Sequence, residues 1–240
     1  MNLIKKLKLN RINIETDLRG SPEWKYFSPT RYATHLAVRA AISQHARGKV
    51  IDIGCGMMHY KEFITKLPTV TRYDALDIEA RAMSVDIIGD VQNMDAIKSN
   101  TYDTVLCLQV IEHIPNPFRA INEIYRILKP NGVLILSAPH LSRLHEEPND
   151  FYRYTKYGLR YMLEKSEFKD ISIIPVGGLF SFIGQQISMA LVIPFWHIPI
   201  IKHIVFFINK WLIVKTCFLI DLTFDKNKLF AVGYVCIAKK

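Results

Sequence analysis

The sequence predicts an α/β fold built on a parallel sheet, and three observations carry that prediction. From residue 50 onward, short β-branched runs alternate with longer segments of helical periodicity. The first run, Val50-Ile51-Asp52-Ile53, stops on Gly54-Cys55-Gly56, and two later runs end on the acids Asp77 and Asp90. Half of the 240 residues are hydrophobic, 22% are charged and the mean hydropathy is +0.10. Such a chain is too apolar for disorder and long enough to bury the core of one large domain, or of a domain with an elaboration.

The elements follow in order. Residues 1–49 form a basic helical arm, and Val50–Ile53 reads as the first strand. Met58–Leu67 follows as a helix stopped by Pro68, then Tyr73–Asp77 and Val85–Ile88 as short buried strands. Tyr102–Gln109 is a further strand, and Phe118–Leu128 carries apolar residues at helical spacing before Lys129-Pro130-Asn131-Gly132 ends it. Val133–Leu136 is the next strand, Thr155–Lys165 a helix with Thr155 as N-cap, Phe168–Pro175 a strand and Phe230–Ile237 the last strand. These elements divide the chain into the arm (1–49), a core (50–178), a hydrophobic helical insertion (179–229) and the core's last strand (230–240).

The insertion differs from the rest. Leu179–Ile201 contains no Asp, Glu, Lys or Arg, but Gly184, Pro194 and Pro199 interrupt it, which makes it a poor candidate for a membrane span. In Lys202–Thr216 the polar residues Lys202, His203, Asn209, Lys210 and Thr216 share one helical sector, and apolar residues fill most of the remainder. Such a helix is expected to bury a wide apolar face.

Charge is unevenly spread. The net charge is +9, with +7 in residues 1–49, −3 in 50–140, zero in 141–178 and +5 in 179–240. Basic ends around a mildly acidic middle argue against a nucleic-acid-binding body and for margins that face something anionic. The cysteines Cys55, Cys107, Cys217 and Cys236 are far apart and form no C-x-x-C pair, so reduced thiols in a cytoplasmic protein are expected, with no disulfide framework and no metal centre. The first residues lack an apolar stretch of secretory-signal length.

The chemistry is concentrated at Val50-Ile51-Asp52-Ile53-Gly54-Cys55-Gly56. Glycines lacking a Cβ let the backbone pass close to a ligand, and ligands of parallel sheets sit at the carboxyl ends of the strands. Asp77 follows Asp52 by 25 residues, near the spacing at which an acid meets ribose hydroxyls, and Asp90 can accept from an exocyclic amine. The G-x-G-x-x-G fingerprint fails because His59 holds the third glycine's place, which disfavours a pyrophosphate.

Taken together, Asp52-Ile53-Gly54-Cys55-Gly56, Asp77, Gly89-Asp90, Tyr102-Asp103-Thr104-Val105, Val110-Ile111-Glu112-His113-Ile114 and Arg126-Ile127-Leu128-Lys129-Pro130-Asn131-Gly132 resemble, in order and spacing, a class I S-adenosylmethionine-dependent methyltransferase. The resemblance covers about residues 30–178 and 230–240. It implies a Rossmann-like, seven-stranded, mostly parallel sheet with helices on both faces, and S-adenosylmethionine as cofactor. By that resemblance Asp52, Gly54, Cys55 and Gly56 approach the methionine part, Asp77 with Ile78 the ribose, and Asp90 with Val91 the adenine, while Gln109 borders the methyl. Glu112-His113 shapes the adjoining loop. Met58 stands where many members have a third glycine, and Asn131 replaces the first glycine of the usual Pro-Gly-Gly turn, a conservative change because Asn tolerates the left-handed region.

Methyl transfer from a sulfonium chiefly requires alignment and exclusion of water, and a hydroxyl or amine acceptor benefits from a general base. The polar aromatic segment Pro139–Thr155 supplies candidates, His145 first and His140 second. Glu147-Pro148-Asn149-Asp150-Phe151-Tyr152-Arg153-Tyr154-Thr155 further resembles methyltransferases of polysaccharide and lipid-linked glycan assembly, which implies O-methylation of a sugar, quinone, lipid-linked or other amphiphilic small molecule. Two function classes remain in view: that enzyme, or a catalytically silent scaffold of a membrane assembly with the same fold. The insertion, with Lys202, Lys210, Lys215, Trp196 and Trp211, is expected to meet an anionic membrane on its inner face, or to pair two subunits as a homodimer.

Overall fold

The computed structural model describes residues 3–18, 20–80, 85–225 and 227–240. Met1, Asn2 and Arg19 of the basic arm and Lys226 of the insertion, all part of the sequence reading, lie outside the described residues. The chain divides into two compact units, one of Ala37–Pro175 with Gly233–Lys240, the other of Met1–Leu36 with Val176–Val232. The boundary expected at residue 49 therefore falls at 36. Helix α1 (Leu3–Asp17) precedes helix α2 (Pro29–His45), and Val38, Ala41, Ile42 and Ala46 are buried at helical spacing. Charge marked the arm, but apolar spacing assigns its last residues to the core.

The first unit holds a seven-stranded sheet. Its strands are β1 (Gly48–Ile53), β2 (Val70–Asp77), β3 (Ile87–Ile88), β4 (Tyr102–Leu108), β5 (Leu128–Pro139), β6 (Lys169–Val176) and β7 (Gly233–Lys239), in the order β3-β2-β1-β4-β5-β7-β6. Strands β1 to β5 pair in parallel and β7 runs antiparallel to β5. Val50 and Ile51 of β1 and Val105, Leu106 and Cys107 of β4 are fully buried, as expected for central parallel strands covered on both faces.

The helices of this unit show how local sequence sets their limits. Helix α3 (Lys61–Thr65) is shorter than the predicted Met58–Leu67 because Met58 adopts φ +54 and its N–H closes a turn onto the Cys55 carbonyl. A residue in that region cannot begin an α-helix. Helix α4 (Pro117–Ile127) starts on Asn116, whose side chain accepts the Arg119 N–H, with Pro117 in the first turn. Asn131 takes φ +63, the left-handed geometry that its turn requires. Helix α5 (Lys156–Lys165) is capped by Thr155, which accepts the Gly158 N–H. Cys55, Cys107 and Cys236 are buried, Cys217 is half-buried, and all four are free thiols.

The second unit is helical. Helices α6 (Leu179–Phe195), α7 (Pro199–Ile208) and α8 (Thr216–Thr223) are described with α1, and a π-helical stretch, Asn209–Lys215, joins α7 to α8. Ile14, Leu18, Phe27, Val192, Trp196 and Val205 form its core. Gly178 offers no side chain to cap α6. Asp221 of α8 does so instead, accepting the N–H groups of Phe180 and Ser181 at 2.8 Å each. The expectation that Lys202–Thr216 buries its apolar side is overturned within this chain: Val205 and Val214 are buried, but so are Asn209 and, partly, Lys202 and Lys210. Most of the apolar side faces outward. The physical reason is that Lys202, Asn209 and Lys210 of the polar stripe find partners inside.

Candidate active site

In this strand order the chain reverses between β1 and β4, which opens a crevice beyond their carboxyl ends. Three loops converge there. The turn after β1 places Gly54 at φ +63 and Gly56 at φ +50. A Cβ on Gly54 would collide with the Val110 side chain of the loop after β4, so glycine is what lets these two loops touch. A Cβ on Gly56 would meet only the Gly54 carbonyl at 4.0 Å, leaving bare backbone beside open space.

Carboxylates brace this turn. Asp77 Oδ2 accepts the Gly56 N–H at 2.8 Å with Cys55 Sγ at 4.0 Å, and its Oδ1 accepts the Glu79 N–H at 3.2 Å. The Gly89 N–H donates to the Asp77 carbonyl, which brings the Gly89-Asp90 turn to the same edge. Asp90 Oδ1 accepts the Gln92 N–H at 2.8 Å, and Gln92 Oε1 accepts the Asn116 N–H at the start of α4. Ile78 exposes an apolar surface at the end of β2, whereas Val91 is buried.

Asp52 plays a different part. It is buried, its Oδ2 accepts the Tyr73 hydroxyl at 2.7 Å, and burial pushes its carboxyl up to about 7 despite that bond. It holds β1 to β2 from within. Gln109, at φ +57, hangs the loop after β4 from β5, its N–H on the Ser137 carbonyl at 2.9 Å and its Nε2 on Ser137 Oγ at 3.2 Å.

A second group of side chains gathers on the next residues of that loop. The Phe151 N–H and the Tyr152 N–H both donate to the Glu112 carbonyl, Tyr152 Oη donates to the Pro115 carbonyl, and Tyr154 Oη donates to the Ile111 carbonyl. These bonds pin the segment after β5 onto the loop after β4. Between them lie His113 and His145, edge to face with ring centroids 4.8 Å apart.

His145 is held from two directions. Its N–H donates to Asp150 Oδ2 at 2.7 Å, and its Nδ1 lies 3.3 Å from the Arg143 carbonyl and 3.4 Å from Asp150 Oδ2. Arg153 Nη2 also stands 3.3 Å from that Nδ1, but it is engaged by Asp150 Oδ2 and by the Arg143 carbonyl. Two acceptors at Nδ1 place the imidazole proton there and leave the Nε2 lone pair free. Burial lowers the His145 pKa below that of an ordinary histidine, ahead of the opposing pull of Asp150. Burial thus favours the neutral imidazole. Asp150 is a firm anion, since its hydrogen bonds to Arg153 hold it well below the usual carboxylate range.

Glu112 is fully buried and neither carboxylate oxygen has a hydrogen-bond partner among the described residues; burial pushes it up to about 8. Its Oε1 lies 3.8 Å from His113 Nε2, while His113 Nδ1 bonds the Asn149 carbonyl at 2.6 Å. One donor atom each of Glu112, His113 and His145 lie within 4.8 Å of one another, so these are the residues among those described that could hold a cation. The Arg153 charge, which acts on both Asp150 and Glu112, already supplies positive charge to this corner. His140 lies beside Tyr234, the ring centroids 5.6 Å apart. Sequence reasoning singled out His145 and missed Asp150 and Arg153 as its holders, although an Asp and an Arg three residues apart was the visible signal.

A model of the family described as "Methyltransferase domain" matches residues 25–172, more than half of the chain. The chain belongs to that family. Its curated relatives include "Ubiquinone biosynthesis O-methyltransferase" of Actinobacillus pleuropneumoniae serotype 5b, 33% identical over 115 residues, which are 40% of this chain and 49% of that protein. The protein of that name from Xanthomonas oryzae pv. oryzae is 29% identical over 103 residues, covering 38% and 43%. This methyltransferase-family chain thus spans about half the length of the curated relatives it matches.

Solved structures agree on the fold. A SAM-dependent methyltransferase from Archaeoglobus fulgidus aligns with a TM-score of 0.55 at 16% identity, covering 88% of this chain and 96% of that one. The [4+2]-cyclase SpnF aligns with a TM-score of 0.56 at 16% identity, covering 85% and 80%. The same fold thus serves differently named activities, and function has to be argued from the site.

Proposed function

We propose that this protein is an S-adenosylmethionine-dependent O-methyltransferase acting on an amphiphilic small molecule: a sugar, a quinone-type ring or a lipid-linked intermediate. The observation that carries this reading is the His145 imidazole, held beside Asp150 and Arg153 on a segment hydrogen-bonded to the loop that borders the glycine turn. The relatives' name supports oxygen as the atom that receives the methyl.

The crevice residues fit the cofactor. Open backbone at Gly56 suits the methionine part, the Asp77 carboxylate beside it suits ribose hydroxyls, and exposed Ile78 and the Asp90 turn suit the adenine. When bound, S-adenosylmethionine supplies an already activated methyl group. The protein's share is to align the acceptor, exclude water and take up one proton. His145 Nε2 accepts that proton from the acceptor hydroxyl, and Asp150 stabilises the imidazolium that results. Glu112, buried and protonated at neutral pH, supports the loop without competing for the proton.

Calorimetric titration with S-adenosylmethionine and its demethylated product tests the cofactor. Binding of both is expected, and binding of neither would leave the scaffold reading standing. Transfer of a labelled methyl group to a panel of sugars, quinols and isoprenoid-linked sugars tests the acceptor. Product labelled only on nitrogen or carbon would overturn the O-methyltransferase reading.

A further inference from the structure

The helical unit of Met1–Leu36 and Val176–Val232 is built with its polarity reversed along Pro199–Thr223. Lys202, Asn209, Lys210 and Asp221 turn inward, while His203 and Thr216 stay exposed. Lys202 Nζ meets Asp17 at 2.9 Å, Lys210 Nζ meets Glu23 at 2.9 Å, and the fully buried Asn209 donates to the carbonyls of Tyr26 and Phe27. Asp221, 2% exposed, caps α6. Outward, Ile200, Ile204, Phe207, Leu212, Leu219 and Leu222 are each more than half exposed. The most apolar window of this 25-residue run has a mean hydropathy of 1.6, and only 17% of it is buried. A helix on a water-soluble protein does the opposite.

The inward contacts fix this orientation, because rolling the helix over would leave Asn209 and Asp221 unpaired and strip Asp17 and Glu23 of their partners. The described residues of this unit leave the apolar face uncovered, and charge identifies a partner that suits it. This unit carries 12 basic and 5 acidic residues, a net +7 of the chain's +9. A second copy would set +7 against +7, whereas an anionic lipid leaflet offers hydrocarbon for the face and opposite charge for its surroundings. Lys215 Nζ sits 3.4 Å from the centroid of the exposed Trp211 ring, an aromatic and basic pairing suited to the headgroup level.

A crossing of the bilayer is disfavoured. The ion pairs Lys202–Asp17 and Lys210–Glu23 tie the first half of the run to α1 and to the Pro22–Phe27 turn of helix, and a span would carry those groups into hydrocarbon. We infer that this unit attaches the protein to an anionic membrane as a monotopic element, with the outer face of Pro199–Thr223 seated at the boundary between headgroups and acyl chains.

Flotation of the full-length protein with vesicles tests this, comparing phosphatidylcholine alone with a mixture containing about 30% phosphatidylglycerol. The anionic vesicles are expected to carry the protein at least about tenfold more strongly, with binding weakened by salt. Brominated acyl chains should quench the exposed Trp211, a signal lost in Trp211→Phe. Leu212→Glu should cut vesicle binding about tenfold or more while cofactor binding by calorimetry stays unchanged, which also shows that the variant is folded. Failure to float with anionic vesicles, unchanged binding of Leu212→Glu, absence of bromine quenching, or a stable dimer that shields Trp211 would each overturn the inference. None of these readouts depends on the acceptor or on turnover.

Discussion

Arg153 grips both carboxylate oxygens of Asp150, Nη1 on Oδ1 and Nη2 on Oδ2 at 2.7 Å each, and Asp150 in turn receives the His145 N–H. The planar guanidinium fork is what makes this brace rigid, because a two-point contact fixes direction as well as distance. The same Arg153 bonds the Ser142 and Arg143 carbonyls, so one side chain sets both the anion and the path of the backbone around the histidine.

The brace should matter to turnover and not to the cofactor. Asp150→Asn and Arg153→Lys are expected to lower kcat about 10- to 100-fold with the dissociation constant for S-adenosylmethionine unchanged. Steady-state kinetics beside calorimetry check this. An equal loss of cofactor affinity would mean that the brace serves the crevice instead.

His145→Gln should lower kcat by about 100-fold or more at saturating acceptor, the usual contribution of a positioned base. The pH profile gives an independent sign. Because burial lowers the His145 pKa, the neutral base persists to more acidic pH than an ordinary histidine allows, and the acid limb of kcat/KM should fall below the 6.5 of an ordinary histidine. A limb above that value, or one that persists in His145→Gln, would remove His145 from the role.

Glu112 sets a stability prediction. Its folded pKa, pushed up to about 8, lies above the ordinary 4.5, so the folded state retains a proton that the unfolded chain releases across that window. Stability associated with this group is present below about pH 4.5 and is lost as pH rises towards 8. Glu112→Gln removes the titration, so its Tm relative to the parent should climb from pH 5 to pH 8, by the equivalent of about 2–4 kcal/mol at the upper end. Thermal unfolding at a series of pH values reads this directly.

Chelation separates two uses of the Glu112, His113 and His145 corner. With Arg153 as its positive charge, methyl transfer should continue after exhaustive treatment with a chelator. A loss restored by added zinc or manganese would instead make these three residues a metal centre.

Gly54 offers a coupling test. Gly54→Ala at φ +63 should lower stability by about 1–3 kcal/mol and weaken cofactor binding, since it strains the turn and strikes Val110. Pairing it with Val110→Ala should recover the steric part alone, so the double variant should be less impaired than additivity predicts.

Much of this protein was legible in the chain itself. Strand runs that end on glycine or on an acid are a local signal, because a parallel strand buried on both faces is mostly apolar along its length and most easily turns polar where it leaves the sheet. That is why Gly54, Gly56, Asp77 and Asp90 were found at the crevice edge, and why Thr155 and Asn131 adopt the cap and turn geometry that their side chains favour. Other features depended on what lies far away in sequence. Asp52 reads as a ligand acid, yet Tyr73 occupies it, and only the pairing of β1 with β2 brings that hydroxyl within reach. The sequence ranked His145 ahead of His140, but only the folded segment after β5 gave His145 an anion, Asp150, and set His140 beside Tyr234. Periodicity located the stripe through Lys202 and Asn209 but not its direction. A helical wheel gives the angle between two faces, and which face turns inward depends on whether distant groups such as Asp17, Glu23 and the Tyr26 carbonyl are there to satisfy the polar one.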